Sequence, residues 1–357
     1  MSKREINVIS TFSGAGGMDI GFERVDEISV KALIEKDNAC CETLRANFSG
    51  KAVIEKDIRS VSASEILEKC GLNREDVDIL IGGPPCQTFS KSNNGDRKGI
   101  VKEKGRLYEE FIRLIKELSP KAFLFENVPG LRSSNNGKAL KDILGNMKEI
   151  RNGIYKVNYE VLNAANYGVP QKRRRLFIVG LRGEKEPKLP EKTHANNPDS
   201  ESDLKPYKTA GDAIEDLDDE VNRKGSEEIG GKWGHLLDDI PPGENYQYYT
   251  ERRKEEYGHD HDVLFEWRSR FWTFLLKLDP DRPSNTIQAQ PGKYVGPFHW
   301  NNRRLTPIEK KRLMTIPDNW NIKGSKSDVN KQIGNAVPPD LAENLAETVR
   351  DQIKELN

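Results

Sequence analysis

The chain carries a cysteine in a setting that suits nucleophilic chemistry. Cys86 lies in the run Gly82 to Ser90, which reads GGPPCQTFS and follows the apolar stretch Val77 to Ile81. The apolar stretch predicts a buried strand. The two prolines predict a rigid turn at its end, which is where open α/β sheets bind their ligands. A cysteine packed in a core would not need such a turn, so we interpret Cys86 as a candidate nucleophile.

A carboxyl group at a second strand end complements this cysteine. Forty positions after Cys86, the apolar run Ala122 to Phe125 leads into Glu126 and the sequence NVPG. A nucleophile at one strand end and an acid at another suit covalent attack on a ring that must be protonated as it is attacked. Glu126 is therefore the candidate acid.

A glycine-rich turn indicates a cofactor. The turn Phe12 to Gly17 follows the predicted strand Ile6 to Thr11. Taken alone, it fits a dinucleotide, an adenosyl cofactor or merely a tight turn. Glu35 ends the second predicted strand, where a carboxylate commonly accepts hydrogen bonds from ribose hydroxyls. Asp57 follows the third strand and could accept one from an adenine amine. The turn lacks the full GxGxxG spacing, which disfavours NAD and FAD.

The elements that position these residues are predicted to be alternating strands and helices. Apolar runs alternate with amphipathic stretches over the first 180 residues, which predicts an α/β fold with a Rossmann-like, largely parallel, doubly wound sheet. The predicted strands are Ile6–Thr11, Val30–Glu35, Ala52–Ile54, Val77–Ile81, Ala122–Phe125, Tyr159–Leu162 and Leu176–Leu181. The predicted helices include Arg106–Leu118, Gly137–Ile150 and Asp340–Leu356.

This alternation ends near Arg182, and a segment rich in charge, proline, glycine and asparagine follows. We therefore expect a catalytic and cofactor-binding domain over 1–182 and a smaller, irregular domain over 183–325. Residues 326–357 are expected to return to the first domain. The aromatic residues of 246–249 and 265–274 are expected to form the small domain's core rather than stacking platforms.

Composition limits the class of protein. Four cysteines, two of them adjacent, form neither a disulfide framework nor a zinc motif, which predicts a reducing, intracellular setting. The sequence has no secretory segment and no apolar run long enough for a bilayer, so we expect a cytoplasmic protein without membrane contact. The 57 basic and 57 acidic residues cancel overall, but residues 84–106 hold six Lys or Arg and two acids. Such local basic segments suit a polyanion. The tract His259 to Asp262 resembles a metal site by composition, yet the chemistry above needs no metal and none is expected.

The motifs, taken in their order, resemble those of the DNA (cytosine-5) methyltransferases along nearly the whole chain. Besides the glycine turn, the matching segments are Glu35, Asp57-Ile58, Pro85-Cys86-Gln87, Gly105–Leu107, Glu126-Asn127-Val128, Gln171–Arg175, Thr286-Ile287, Arg304–Glu309 and Gln332–Pro338. The resemblance implies the fold of methyltransferases that depend on S-adenosyl-L-methionine, with a target recognition region at about 183–283.

The resemblance also implies a role for each matching residue. It implies catalysis by Cys86, Glu126, Arg173 and Arg175. It implies that the residues that bind S-adenosyl-L-methionine are Phe12, Gly14, Ala15, Gly16, Glu35, Asp57, Ile58, Pro85, Leu107, Asn335 and Ala336. It implies DNA contacts by Gln87, Ser90, Ser92, Arg173, Thr286 and Arg304, with Arg173 on phosphate and Arg175 at the base oxygen.

The implied activity is sequence-specific transfer of a methyl group to carbon 5 of a cytosine that is flipped out of double-stranded DNA, through an adduct with Cys86. The enzyme would be a monomer on DNA, associated with a prokaryotic nucleoid. It would work alone or beside a restriction endonuclease that acts independently.

Three other functions are weighed against this one. A tRNA cytosine-5 methyltransferase is the alternative within the resemblance, but the Cys-Phe-Thr tripeptide of that branch is absent. A non-catalytic DNA-binding regulator would not need Cys86, Glu126 and Arg175 together. A nicotinamide oxidoreductase would explain the glycine turn and would leave those three residues unexplained.

Overall fold

The computed structural model describes residues 4–85, 107–200, 202–217 and 229–356. The strands in these ranges are β1 (Ile6–Thr11), β2 (Ile28–Glu35), β3 (Ala52–Glu55), β4 (Val77–Gly82), β5 (Ala122–Asn127), β6 (Tyr155–Asn163), β7 (Gln171–Lys172), β8 (Arg174–Arg182), β9 (His194–Ala195), β10 (Lys205–Pro206) and β11 (Ser284–Asn285). The α-helices are α1 (Gly17–Glu23), α2 (Asn38–Asn47), α3 (Ala63–Cys70), α4 (Leu107–Leu118), α5 (Lys138–Lys148), α6 (Ala210–Ile214), α7 (Glu251–Tyr257), α8 (Pro307–Leu313), α9 (Lys326–Asn335) and α10 (Pro339–Lys354).

A seven-stranded sheet in the order β3-β2-β1-β4-β5-β8-β6 forms the centre of the protein. Strands β1 to β5 are parallel, and β8 runs antiparallel to both of its neighbours, β5 and β6. The predicted α/β, Rossmann-like fold is confirmed. The order of connection reverses between β1 and β4, and ligands of such sheets bind in the crevice at that point.

The apolar runs form strands because both faces of the sheet are covered. Every residue of β1 and β4 is buried, as expected for central parallel strands packed between two layers of helices. The predicted strands all occur, although β6 begins four residues before the predicted start at Tyr159. The short strands β7, β9, β10 and β11 were not predicted, because two residues carry no detectable periodicity.

Helix α10 brings the end of the chain back to its beginning. Pro339 occupies the first turn of α10, where a missing N–H costs nothing. The apolar face of α10 packs in the same core cluster as α1 and β1. A Cβ atom on Gly21 of α1 would lie only 2.5 Å from the Cβ of Ala342 and from the carbonyl oxygen of Pro339. Glycine therefore permits this close helix contact.

A second, smaller core is built from aromatic residues. Tyr246, Tyr248 and Tyr249 are buried in a cluster that begins at Ile229 and ends at Phe298. The expectation of an aromatic core is thus correct for 246–249. It is wrong for three residues of the second run, since Trp267, Phe271 and Trp272 are exposed.

This aromatic cluster is smaller than the domain predicted over 183–325. Ala210, Ile214 and Leu217 pack instead in the large core cluster that contains α1 and α10. His259 of the histidine tract stacks on Tyr248, with ring centroids 4.3 Å apart. The described residues contain no group of three or more His, Cys, Asp or Glu that could hold a metal ion. Within the described ranges, no helix combines the length and apolar character that crossing a membrane requires.

The contact between α1 and α10 predicts that replacing two different glycines with alanine changes the stability of the protein in opposite directions. Gly21→Ala should lower the free energy of unfolding by about 1–3 kcal/mol, because the added methyl group meets backbone atoms that cannot move away. Gly145→Ala, within α5, is the control. Nothing lies within 4 Å of a Cβ at Gly145, so the better helix propensity of alanine should raise stability by up to about 1 kcal/mol. Urea unfolding of both variants measures the effect, and equal responses would contradict the packing.

Candidate active site

The predicted site residues converge on one edge of the sheet. Strands β1 to β5 are parallel, so their carboxyl ends meet there, and the antiparallel β8 begins at the same edge. In the pairing of β5 with β8, Glu126 lies opposite Phe177 and Asn127 opposite Leu176. Arg175, just before Leu176, is therefore adjacent to the end of β5. The glycine turn follows β1 and the Pro-Pro turn follows β4, on the two sides of the switch point.

Glu35 organises the glycine turn in this structure. Its Oε2 accepts a hydrogen bond from the backbone N–H of Gly14 at 2.9 Å. Its Oε1 accepts from the N–H groups of Lys36 at 2.7 Å and Asp37 at 2.9 Å. Phe12 has a φ of 54°, a left-handed conformation that a bulky residue rarely adopts. The carboxylate thus holds a sharply bent turn at the end of β1.

The C-terminal segment completes the wall beside this turn. A Cβ atom on Gly17 would lie 2.4 Å from the carbonyl oxygen of Val337 and 3.0 Å from the Cβ of Ala336. Asn335 ends α9 immediately before these residues and is exposed. Trp320, which the sequence analysis did not single out, donates its indole N–H to the carbonyl of Ala15 at 3.0 Å. The structure therefore brings the two predicted halves of the cofactor site together.

Asp57 also lies at this edge, in an ion pair. Both of its carboxylate oxygens accept from the Arg59 guanidinium at 2.9 Å, and Lys36 Nζ lies 3.5 Å away. The hydrogen bond with Arg59 holds the pKa of Asp57 well below its usual range. The next residue, Ile58, is buried. Arg59 is the closest partner of Asp57 and was not foreseen.

The chain that leads to Cys86 passes directly over the Glu126 carboxyl group. A Cβ atom on Gly83 would lie 2.9 Å from Glu126 Oε2, so a larger residue there would displace the carboxyl group. Asn127 donates from its side chain to the carbonyl of Pro84 at 3.1 Å. Pro85 is exposed. The predicted residues that lie outside the described ranges are Cys86, Gln87, Ser90 and Ser92.

Glu126 pairs with Arg175, the last residue of the motif Gln171–Arg175. Arg175 Nε lies 3.0 Å from Glu126 Oε1, and both side chains are about 15% exposed or less. Burial raises the pKa of Glu126, while the cations of Arg175 and Arg173 oppose that rise. The pair thus combines a carboxyl group that is reluctant to ionise with a cation beside it.

Arg173 requires a correction. It was expected to contact phosphate, but its side chain is fully buried. It donates to the carbonyl oxygens of Ile287 at 3.3 Å and Gly334 at 2.7 Å. Successive residues of an extended chain point to opposite faces, so Gln171 and Arg173 share the inner face. Gln171 belongs to the motif Gln171–Arg175, but the sequence predicts no function for it. Its regular spacing from the two arginines was the signal that could have identified it as buried.

The remaining predicted residues are dispersed. Thr286 donates its hydroxyl to the carbonyl of Lys172 at 2.8 Å, beside the pairing of β7 with β11. Arg304 donates to the carbonyl of Lys293 and covers the ring of Phe298 at 5.6 Å. Leu107 begins α4 and is buried in the core on one face of the sheet. The DNA contacts expected of Thr286 and Arg304 remain predictions.

An unexpected titratable group lies behind the glycine turn. Asp19 belongs to α1 and is fully buried. Burial raises its pKa from the ordinary 3.8 to about 7, although the Ser10 hydroxyl opposes the rise. The burial of Asp19 was not predictable from the sequence, because an acid in the first turn of a helix is usually solvated.

Comparison with known proteins identifies relatives over the whole chain. The family model described as C-5 cytosine-specific DNA methylase matches residues 6–351. The Type II methyltransferase M.SacI of Streptomyces achromogenes is 37% identical over 376 residues, covering 98% of this chain and 94% of the relative. M.NgoFVII of Neisseria gonorrhoeae, also a Type II methyltransferase, is 34% identical over 98% of this chain and 87% of its own length. Among solved structures, the Entamoeba histolytica methyltransferase EhMeth has a similar fold, with a TM-score of 0.62 at 16% identity, covering 98% of this chain and 99% of that one.

The buried Asp19 predicts a pH-dependent stability. Its pKa is raised in the folded state, so its stabilising contribution is complete below about pH 4 and is lost as the pH rises through about 7. Asp19→Asn keeps the shape without the charge. Relative to the parent, it should gain up to about 4 kcal/mol between pH 4 and pH 8.

Urea unfolding at several pH values measures this gain, with Asp26→Asn as the control because Asp26 is exposed in the same region. A difference between parent and Asp19→Asn that stays constant with pH would show that Asp19 is not buried as a neutral acid.

Proposed function

The chain belongs to the C-5 cytosine-specific DNA methylase family, and from this premise we propose how its residues carry out the reaction. It is a DNA cytosine-5 methyltransferase of the Type II restriction–modification kind, as its relatives are. We propose that the methyl group comes from S-adenosyl-L-methionine and that the target cytosine is extruded from duplex DNA. We also propose that Cys86 forms a transient covalent bond to carbon 6 of the base.

One observation carries the proposal: the Glu126–Arg175 pair lies beneath the segment that runs into Cys86. A Cβ atom on Gly83 would lie 2.9 Å from Glu126 Oε2, and Asn127 donates to the carbonyl of Pro84 at 3.1 Å. Cys86 follows two residues later in sequence, so the length of the chain limits how far it can lie from Glu126. The carboxyl group, whose pKa burial raises, and the cation of Arg175 therefore lie next to the segment that leads into Cys86.

The residues at the glycine turn suit an adenosyl cofactor. A Cβ atom on Gly14 would meet nothing within 4 Å, so this part of the turn faces open space. Glu35, Asp57 and Asn335 border the same edge and offer oxygen acceptors and an amide group. These residues would hold the ribose, the adenine side and the amino acid part of the cofactor. When bound there, the cofactor supplies an electrophilic methyl group.

The proposed chemistry begins with the Cys86 thiolate. Its sulfur adds to carbon 6 of cytosine, and the electron pair of the 5,6 double bond moves toward carbon 5 and the ring nitrogen N3. Glu126 donates a proton at N3, which neutralises the negative charge that develops on the ring. S-adenosyl-L-methionine, when bound, would supply its methyl group to carbon 5, which the Cys86 adduct has made nucleophilic. Loss of the carbon 5 proton to solvent expels the Cys86 thiolate, and the N3 proton returns to Glu126, which restores the neutral aromatic ring.

Burial supports the part proposed for Glu126. A solvated carboxyl group would be ionised at neutral pH and could not donate a proton. Desolvation raises the pKa of Glu126, while the cations of Arg175 and Arg173 oppose that rise. A proton donor works best when its pKa lies near the working pH. We propose that Arg175 stabilises the charge that develops on the base oxygen.

Double-stranded DNA is the proposed substrate. Its target base must be extruded from the duplex, because a stacked base cannot reach a buried carboxyl group at a strand end. Extrusion of the base costs a few kcal/mol, which contacts to the flipped base and to the DNA backbone would offset. The division between the catalytic part and a target recognition region at about 183–283 stays a prediction.

Removing the nucleophile should separate chemistry from binding. Cys86→Ala is expected to reduce methyl transfer by at least about a thousandfold, because the covalent step is lost. Binding of S-adenosylhomocysteine and of unmethylated DNA should remain close to that of the parent. Radiolabelled methyl transfer and calorimetric titration measure the two quantities. Methylation by the variant at more than about a hundredth of the parent rate would exclude Cys86 as the nucleophile.

A mechanism-based trap tests the covalent intermediate itself. A duplex with 5-fluorocytosine at the target should give a complex that survives denaturing electrophoresis, because fluorine at carbon 5 cannot leave as a proton and Cys86 is not expelled. The complex should require S-adenosyl-L-methionine. If Cys86→Ser traps DNA as efficiently as the parent, another residue forms the bond.

A further inference from the structure

Arg173 is a charged side chain in an unusual environment. It is fully buried, and burial together with the neighbouring Arg175 lowers its pKa, which Glu126 partly restores. Burying a guanidinium group costs several kcal/mol unless its surroundings compensate. Its hydrogen bonds go to two backbone carbonyls, those of Ile287 and Gly334. Stability alone does not explain a cation at this position.

The two carbonyl partners belong to distant parts of the sequence. Ile287 closes the predicted target recognition region, 114 positions from Arg173. Gly334 immediately precedes Asn335 and lies 161 positions away. A guanidinium is planar and presents several N–H donors at fixed angles, so one arginine can hold two segments in a defined relation. A lysine offers a point charge without that geometry.

Gln171 also binds the backbone of Ile287. Its Oε1 accepts from the backbone N–H of Ile287 at 3.3 Å, and its Nε2 donates to the carbonyl of Leu313 at 3.2 Å. Next to it, β7 pairs with β11, and Thr286 donates to the carbonyl of Lys172. Both polar groups of the Ile287 backbone are therefore held by side chains of one short extended segment.

We call this arrangement the Gln171–Arg173 clasp. Residues close to both of its ends in sequence lie at the candidate active site. Arg175 is two residues from Arg173 and pairs with Glu126 at 3.0 Å. Ala336 is two residues from Gly334 and lies against the glycine turn, 3.0 Å from a Cβ position on Gly17. Arg173 thus connects the backbone of Ile287 to that of Gly334, the residue before Asn335.

We propose that the Gln171–Arg173 clasp couples binding of target DNA to binding of the cofactor. Arg173 is a positioning residue: it transmits the position of residues 286–287, at the end of the recognition region, to Asn335 and Ala336 on the cofactor side. The inference rests on the proposed function, since it takes duplex DNA and an adenosyl cofactor as the two ligands. Coupling of this kind is reciprocal and amounts to about 5–150-fold in affinity.

The test compares affinities for S-adenosylhomocysteine with and without DNA. Calorimetric titration gives the dissociation constant of S-adenosylhomocysteine alone and with a saturating duplex that carries the site mapped by bisulfite sequencing. The parent is expected to bind about fivefold or more tightly with the duplex. In Arg173→Met the ratio should fall below about twofold, and in Arg173→Lys it should lie in between. Thermal unfolding confirms that each variant is folded, and Arg173→Lys decides the matter if Arg173→Met is not.

Arg182→Met is the matched control. Arg182 lies at the far end of β8 and also donates to a distant backbone carbonyl, that of Ser119 at 3.1 Å. It should lose some stability but keep the parent ratio. A parent ratio near one, or a parent-like ratio in the folded Arg173 variants, would overturn the inference. Neither result touches the proposed function, which fails only if the parent itself neither binds S-adenosylhomocysteine nor methylates DNA.

Discussion

A contact between two backbones at opposite ends of the chain determines how the site is completed. The carbonyl of Val337 lies so close to Gly17 that no side chain fits between them. This contact, with α1 packed on α10, fixes Asn335 and Ala336 against the glycine turn after β1. The wall of the proposed cofactor site is therefore assembled from residues 12–17 and 320–337. The intervening chain supplies Glu126, Arg175 and the aromatic cluster without interrupting that wall.

Buried charge is concentrated at the same edge of the sheet. Glu126, Arg175 and Arg173 lie within one another's electrostatic influence, and burial opposes ionisation of both Glu126 and Arg173. Such groups are costly to bury, and shifted pKa values cluster where chemistry requires them. Burial raises the pKa of the Glu126 carboxyl group, Arg175 pairs with it, and Arg173 links the surrounding segments. Asp19, behind the glycine turn, adds a buried acid whose ionisation works against folding.

The sequence predicts the fold and the strand-end residues well, because both follow from local patterns. Apolar runs located every central strand, and the order of the parallel strands brings Glu35, Asp57 and Glu126 to one edge. Roles that depend on long-range packing were not predictable. Arg173 reads as one more cation in a basic segment, and only the tertiary fold reveals that it is buried against Ile287 and Gly334. Likewise, no local pattern distinguishes the buried Tyr248 from the exposed Trp272, because both belong to aromatic-rich runs.

The central claim is that this chain methylates carbon 5 of cytosine at a defined DNA sequence. The most direct measurement is nucleoside mass spectrometry, together with bisulfite sequencing, of DNA from a host without cytosine methylation that expresses the chain. The account predicts 5-methylcytosine in one sequence context and none in the host without the chain. Methylation found only at the exocyclic amine of cytosine or adenine, or 5-methylcytosine found only in RNA, would contradict it.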